Sequence, residues 1–427
     1  MTDPEIAPGW RSLLVDPTPL RLNREFRRLY VARVVSFIGS MITFVALPAQ
    51  VFSITRSSLQ VGLIGIVEVV PLVGAALFGG ALADRIDRRR LIVVCEFAMV
   101  ACTALLAANA RQGSQAPVWP LYVFAACAAG FDGLQRPAIE ALSQQVLDRK
   151  HIVAANGLNS ALFSFGMVVG PILGGVVLDV WGFEWAYGLD AASFAVGGLL
   201  ALSLGARRAE RDPDSVPDSP WSDVAAGLRY ARRRKDLLGS YLVDVNAMVF
   251  GMPLALFPAM ALDLGGRGTL GLLYAGPGIG SLTASLFASG LPRRTHRHGV
   301  GLLWSACGWG IAIVAFGFAK SVPLAVGMLA IAGAADMVSG MFRMAMWNES
   351  IPNEVRGRLA GIEMISYSAS PPLGNVESGL VAAATSARTS VISGGVLCVA
   401  CGAVIAILLP TLRAYDAHAH RDASAGA

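Results

Sequence analysis

Eleven charged side chains lie inside long apolar runs of this 427-residue chain: Arg33, Glu68, Glu96, Asp132, Arg136, Asp190, Asp244, Asp336, Arg343, Glu363 and Glu377. At the middle of a bilayer each would cost about 2.5 kcal/mol or more, so each needs a partner, water or a task. Asp132 and Arg136 stand at i, i+4 and are expected to pair directly on one helix face. Asp336 and Arg343 stand at i, i+7, on one face two turns apart. A partly desolvated carboxylate beside an arginine can take up and release a proton, and protonation then frees the arginine. The bland reading of the same pattern is a static ion pair between helices. Glu68 fits a proton carrier or a structural hydrogen bond equally well. Glu377 follows the Pro371-Pro372 break, where freed backbone groups need partners. Asp190, Glu96 and Glu363 lie toward the ends of their apolar runs and read as interfacial.

Other chemistry finds little support. His151, His296, His298, His418 and His420 all fall in loops or tails, so none reads as a proton carrier. The six cysteines sit in apolar segments, and Cys398-x-x-Cys401 has no second pair or nearby histidine, so it reads as packing. No Gly-x4-Gly-Lys-Ser/Thr loop for a nucleotide occurs. No cofactor and no metal site are expected. A membrane-bound acyltransferase would need a His, Asp or Ser cluster at one membrane face, and the sequence holds none. Trp185, Trp304, Trp309 and Trp347 read as interface belts or packing, with Trp347 able to flank a cavity.

The elements that must hold these charges are membrane helices. Hydrophobic residues make up 55% of the chain and charged residues 15%, too few to cover a soluble core of this size. Spanning takes roughly 20 apolar residues. Twelve spans are predicted, near 28–52, 59–83, 91–110, 118–139, 153–178, 185–205, 237–262, 268–291, 300–319, 322–345, 359–385 and 390–411. The first 25 or so residues are polar and hold Pro4, Pro8, Pro17 and Pro19, so no cleavable signal is expected and the first span directs insertion. With both termini in the cytoplasm, 26 of the 34 Lys and Arg lie in cytoplasmic segments, 5 in external loops and 3 within spans. That split sets the orientation, and it explains the net charge of +5 without nucleic acid. The expected organisation is a cytoplasmic tail (1–27), a six-helix bundle (28–205), a cytoplasmic linker (206–236), a second six-helix bundle (237–411) and a cytoplasmic tail (412–427). The linker begins flexible and ends near 221–235 in a short amphipathic helix, with Arg232 to Lys235 facing anionic headgroups.

The halves repeat one another weakly. Gly133-x-x-Arg136 returns as Gly340-x-x-Arg343, Pro171-Ile-Leu-Gly174 as Pro371-Pro-Leu-Gly374, and the arginine-rich loop after span 2 as the one after span 8. Three matches in one order indicate a duplicated unit with a site between halves near the midplane. Two local patterns are more specific. Gly80-Ala-Leu82-Ala-Asp84-Arg85-Ile-Asp87-Arg88-Arg89-Arg90-Leu91 joins spans 2 and 3. Span 5 carries Gly157, Gly166, Gly170, Pro171, Gly174 and Gly175, with Gly166, Gly170 and Gly174 on one face, where they permit close helix packing.

These patterns resemble motif A and motif C of the major facilitator superfamily. Val45-Ala-Leu-Pro-Ala-Gln50, Tyr274-Ala-Gly-Pro-Gly-Ile-Gly-Ser281 and Gly357-Arg-Leu-Ala-Gly361 extend the resemblance, over about residues 20–412, to its siderophore-exporter branch, which also holds macrolide and multidrug efflux proteins. The resemblance implies an all-α fold of two pseudo-symmetric six-helix bundles whose spans 1, 4, 7 and 10 line the cavity. On that basis Arg33, Asp132, Arg136, Asp244, Asp336 and Arg343 would face water or substrate. It also implies a cytoplasmic gate in which Gly80, Asp84, Arg85, Arg88 and Arg89 bridge the halves. Asp87 stands where the family pattern has glycine. Motif C implies export. The expected protein is a monomeric, proton-coupled exporter of a siderophore or hydrophobic drug in the bacterial plasma membrane, with protons, the small molecule and lipids as its partners. An importer, or a sensor that binds without transport, are the alternatives. Alkaline phosphatase fused between Arg211 and Lys235 is expected to be inactive, because that enzyme matures only outside the cytoplasm; activity there would reverse the orientation.

Overall fold

The computed structural model describes residues 16–83, 86–205, 234–288, 290–351 and 353–417, with all their side chains except those of residues 73, 76–83, 293 and 353–368. Twelve long helical segments run through them, as lipid requires, since it offers no partner to a backbone amide. They are α1 (Arg24–Thr55), α2 (Ser58–Ala83), α3 (Arg88–Ala110), α4 (Trp119–Val146), α5 (Ile152–Val180), α6 (Gly182–Leu202), α7 (Lys235–Phe250), α8 (Gly268–Phe287), α9 (His298–Gly317), α10 (Val322–Ser350), α11 (Asn353–Ala384) and α12 (Ala387–Leu408). Nine of the segments, counting α7 with its continuation, are long and apolar enough among the described residues to cross a membrane. The other three, α2, α4 and α11, hold 26, 28 and 32 residues, ample length for a crossing. The expected amphipathic helix at 221–235 falls almost wholly outside the described residues.

The seventh span is not the single helix expected. It stops at Phe250, passes through a short 3-10 turn, Leu254–Leu256, and resumes as Phe257–Leu264. Pro253 and Pro258 lack the amide a continuous helix needs. The groups freed by the break find partners on other helices: Trp309 Nε1 donates to the Gly251 carbonyl at 2.7 Å, and Asn375 Oδ1 accepts from the Ala255 amide at 3.1 Å.

The duplication is visible in space. In the first half α1 packs on α5 and α6, α2 on α4, and α3 on α4 and α6; in the second half α7 packs on α11 and α12, α8 on α10, and α9 on α10 and α12. The two repeat prolines end in equivalent contacts. Gly174 lies against Ile42 and Val45 of α1, and Gly374 against the Met248 and Val249 carbonyls of α7.

The halves meet through two helix pairs that are also equivalent, α2 with α11 and α5 with α8. Both contacts use the ends away from the chain termini. Gly62 lies against the Asn375 backbone, Gly65 against Pro372, and Gly379 against Ser58 and Leu59. Across the other seam, a Cβ on Gly175 would stand 2.8 Å from Gly271 Cα, and one on Gly271 would strike the Pro171 carbonyl oxygen. No other residue type allows backbones that close.

At the opposite end, the terminal face, the tail is clamped to the second half. The Tyr415 hydroxyl lies 2.8 Å from Ser350 Oγ and donates to Glu349 Oε2 at 3.3 Å, while its ring stacks on His298. Burial pushes that hydroxyl up to about 12, which keeps Tyr415 a neutral donor. Introducing a side chain at the seam should force the halves apart. Gly271→Val is expected to lower stability by about 1–3 kcal/mol through overpacking, read as a fall in the thermal midpoint of the detergent-solubilised protein, whereas Gly327→Val, with open space at its Cβ, should leave it unchanged.

Candidate functional site

Behind the two seams lies a cavity of about 250 Å³, walled by α1, α2, α3, α4 and α6 of the first half and by α8, α11 and the turn at Leu254 of the second. Its wall is largely apolar and aromatic, with Phe44, Phe124 and Tyr274, and it holds two carboxyl groups, Glu68 and Asp190. A second, more polar cavity of about 570 Å³ opens at the terminal face between α1, α4 and α5. Arg33, Arg136, Glu140, Asn159 and Ser164 line this vestibule.

The expected pairings are rearranged. Arg136 does not pair with Asp132; its Nε lies 3.7 Å from Glu140 Oε1, one turn further along α4, and both side chains are mostly exposed. A surface pair of this kind contributes little. Asp132 is exposed and forms no ion pair among the described residues. Both arginines line the vestibule, Arg136 mostly exposed and Arg33 half-buried. Arg343 does not pair with Asp336 either. Seven residues of helix separate those two by about 10 Å along the axis, whereas Asp244 on α7 stands directly opposite. Arg343 and Asp244 form an ion pair, with 4% and 6% of their side chains exposed. The Arg343 guanidinium lies 5.8 Å from the centroid of the Trp347 ring, and Trp347 Nε1 donates to Ser240 Oγ at 3.2 Å. The pair thus ties α7 to α10 in a dry setting, and Trp347 packs beneath it. Asp336 is half-buried on α10.

The two repeats consequently differ in charge. Arg136 faces the vestibule, and its counterpart Arg343 is neutralised inside the second half. Gly133 packs on Ala75 and Leu72 of α2, while Gly340 has open space around it.

Two carboxylates expected at the interface are buried in the first half instead. Asp190 is 1% exposed; its Oδ2 accepts from Thr43 Oγ1 at 2.5 Å and its Oδ1 from Ser193 Oγ at 3.3 Å. Glu96 accepts from Ser36 Oγ at 2.8 Å and from Gln135 Nε2 at 2.6 Å. A third bond, Tyr187 Oη to Gln50 Oε1 at 2.7 Å, completes a polar ladder up α1. Its rungs on α1 are Ser36, Thr43 and Gln50, at i, i+7 and i+14. That spacing is the signal in the sequence that would have located the ladder, since residues seven apart share one helix face. His298 is likewise not a loop residue. It opens α9, is 1% exposed, and lies 3.3 Å from Glu349 Oε2 and 2.9 Å from the Pro292 carbonyl. Trp309 and Trp347 are buried, whereas Trp185 and Trp304 are exposed as belt residues are.

The motif residues divide. Gly166 and Gly170 lie against Phe37 and Met41 of α1, so Gly166, Gly170 and Gly174 serve packing within one half, while Pro171 and Gly175 serve the seam between halves. Gly157 is not a packing glycine: it has open space at its Cβ, where α5 borders the vestibule. Of the loop after α2, Asp84 and Arg85 lie outside the described residues, and Gly80 falls in the last turns of α2. Asp87 caps α3 by accepting from the Arg90 amide at 3.1 Å. Arg88 stands at the first position of α3. Arg89 donates to the Leu202 carbonyl, so it bonds within its own half rather than across the halves. The glutamate beside the double proline, Glu377, is half-buried; Asn375, two residues before it, makes the bond to the broken span. Glu363 has its side chain outside the described residues.

Removing one member of the buried pair leaves the other uncompensated. Asp244→Asn is expected to destabilise the solubilised protein by about 3–5 kcal/mol, and the double change Asp244→Asn with Arg343→Met to recover most of that loss. Thermal unfolding of the three proteins checks this; equal midpoints for the single and double variants would remove the pair from the fold's stability.

A family model described as transmembrane secretion effector matches residues 16–425. The enterobactin exporter EntS of Shigella flexneri is 29% identical over 359 residues, covering 82% of this chain and 83% of that protein. EntS of Citrobacter koseri is 28% identical over 418 residues, covering 95% and 96%. Among solved structures, the nucleoside transporter NupG superposes with a TM-score of 0.67 at 14% identity, covering 91% of this chain and 98% of that one. A POT family transporter in complex with 5-aminolevulinic acid superposes with a TM-score of 0.68 at 10% identity, covering 91% and 97%. These relatives are transporters rather than enzymes, and the superpositions carry the fold. The chain belongs to the transmembrane secretion effector family of major facilitator superfamily transporters, in the branch that contains the enterobactin exporters.

Proposed function

We propose that this membrane transporter is a proton-coupled exporter of a small molecule, a siderophore or a hydrophobic drug, working as a monomer by alternating access with both termini in the cytoplasm. One observation carries the reading: the inner cavity is closed at the far end by backbone-close seams, while the vestibule opens on the face that holds most of the arginines. With those arginines cytoplasmic, this is the arrangement that receives cargo from inside the cell. The match to enterobactin exporters supports a siderophore as one cargo class.

The units that rock are the bundles 28–205 and 237–411, joined by the linker 206–236, and the tails 1–27 and 412–427 stay with the cytoplasmic face. The gate residues of the loop after α2 would meet the other half when the vestibule closes, which accounts for Arg89 bonding within its own half in the open arrangement. Proton coupling falls to the carboxylates that see water in one state and protein in the other. Asp132 meets that condition best, since it is exposed and lies on α4 one turn from Arg136, which lines the vestibule together with Arg33. Closing the vestibule would desolvate the group, so a proton bound to Asp132 favours closure and its loss favours opening. Asp336 is the second candidate, above a neutralised Arg343. Glu68 is the third, within the inner cavity.

Asp132→Asn is expected to abolish efflux driven by a pH gradient while leaving expression and membrane insertion intact. Uptake of labelled cargo into inverted vesicles checks it: uptake in the variant equal to wild type removes Asp132 from the mechanism. Uptake only into right-side-out vesicles means import, and saturable binding without flux in either means a sensor.

A further inference from the structure

A third cavity, of about 440 Å³, opens at the terminal face of the second half, between the start of α9 and the segment that follows α12. Arg297, Pro410, Arg413, Ala414 and Asp416 line it. The two arginines are exposed, come from segments far apart in sequence, and form no ion pair among the described residues. Asp416, half-buried, is the one acid in the wall, so the lining carries a net positive charge. The backbone beneath these side chains is held. A Cβ on Gly299 would strike the Leu412 carbonyl oxygen, and the Ala417 amide donates to the His296 carbonyl at 3.0 Å. Closing both arginines on one anion therefore costs little ordering of the chain.

Toward the membrane the same surface is apolar. Arg297, Trp304 and Ile311 stand at i, i+7 and i+14, on one face of α9 and its cap. Trp304 and Ile311 are 73% and 60% exposed. Seven residues of helix set Trp304 about 10 Å below Arg297, at the level where membrane tryptophans meet the headgroup boundary. On α12, Val404, Ile407 and Leu408 are exposed just before the segment that carries Arg413. The two helices adjoin, with Gly310 of α9 against Gly395 and Val399 of α12. From the terminal face inward the order is two cations, an amphipathic ring and aliphatic surface. A phospholipid matches all three levels, whereas a free phosphate matches only the first.

We propose that this cavity binds the phosphate of an anionic phospholipid from the leaflet at the terminal face, with Arg297 and Arg413 as its clamp, Trp304 beside the glycerol, and the exposed faces of α9 and α12 against the acyl chains. Asp416 opposes a second phosphate and can accept from a headgroup hydroxyl, so a single phosphodiester bearing a polyol, as in phosphatidylglycerol, fits best. The bound lipid joins the start of α9 to the segment after α12, since each supplies one arginine. Both arginines belong to the second half, so the site keeps its shape when the halves rock. The site does not depend on the cargo or on the direction of transport.

Lipid binding to the full-length protein in detergent tests this, with bound lipids counted by native mass spectrometry. Phosphatidylglycerol, phosphatidylethanolamine and phosphatidylcholine with the same acyl chains are compared. Wild type should take up one phosphatidylglycerol about tenfold more tightly than either zwitterionic lipid. Arg297→Gln combined with Arg413→Gln should weaken that first binding by about tenfold, to the level of the zwitterionic lipids. Arg149→Gln combined with Lys150→Gln, which removes two exposed cations of the first half at the same face, should leave it unchanged. Inorganic phosphate in large excess should not displace the lipid, because it gains nothing from the apolar faces. Brominated acyl chains on the bound lipid should quench a part of the fluorescence that Trp304→Phe lacks. Equal affinity of wild type for the three lipids overturns the proposal, and that comparison needs no variant. So does wild-type affinity in the Arg297 and Arg413 double variant. An equal loss in the Arg149 and Lys150 variant overturns it in favour of diffuse surface charge, and displacement by inorganic phosphate overturns it in favour of a free anion.

Discussion

Inside a bilayer, apolar side chains gain nothing by meeting one another, because lipid tails are equally apolar. Two helical halves stay together only where backbones come close enough for dense packing and where polar groups find partners. In this protein that constraint is met at the seams of α2 with α11 and α5 with α8. Gly62, Gly175, Gly271 and Gly379 bring one backbone onto another. Everything functional sits relative to those seams. The inner cavity lies behind them, the vestibule opens opposite, and the break in the seventh span is stitched to α11 by Asn375 and to α9 by Trp309.

A duplicated unit need not give two equal halves. The same Gly-x-x-Arg pattern yields an arginine in open water at Arg136 and one locked to Asp244 at Arg343. The difference arises because Arg343 finds a carboxylate across the helix gap, at the level of its own side chain, and Arg136, among the described residues, pairs only with Glu140 on its own helix. Arg343 is thereby neutralised within the second half, whereas Arg136 keeps its charge at the vestibule. Polar chemistry in the first half is organised along α1 instead, through Ser36, Thr43 and Gln50, each bonded to a different helix-borne partner. This ladder joins α1, α3, α4 and α6, and it leaves Glu68 on α2 as the cavity carboxyl without a partner among the described residues.

Charge and hydropathy alone determined most of the architecture. Twelve apolar runs of spanning length, each long enough for a helix and bounded by polar loops, forced an all-helical membrane fold, because only helices satisfy their own backbone in lipid. The weak repeats at Gly133 and Pro171 announced the duplication, and the glycines of span 5 announced close packing. Which residues met was decided in three dimensions. Arg343 chose Asp244 over Asp336 because a neighbouring helix lies nearer than two turns of its own. Asp190 and Glu96 look terminal in a one-dimensional span and are buried because α6 packs on α1 and on α3, and both carboxyls bond to hydroxyls of α1. His298 looks like a loop residue and is covered by a tail more than a hundred positions away in sequence. The proline-broken seventh span is bonded by Trp309, Asn375 and Tyr274, partners that periodicity within one helix cannot reveal.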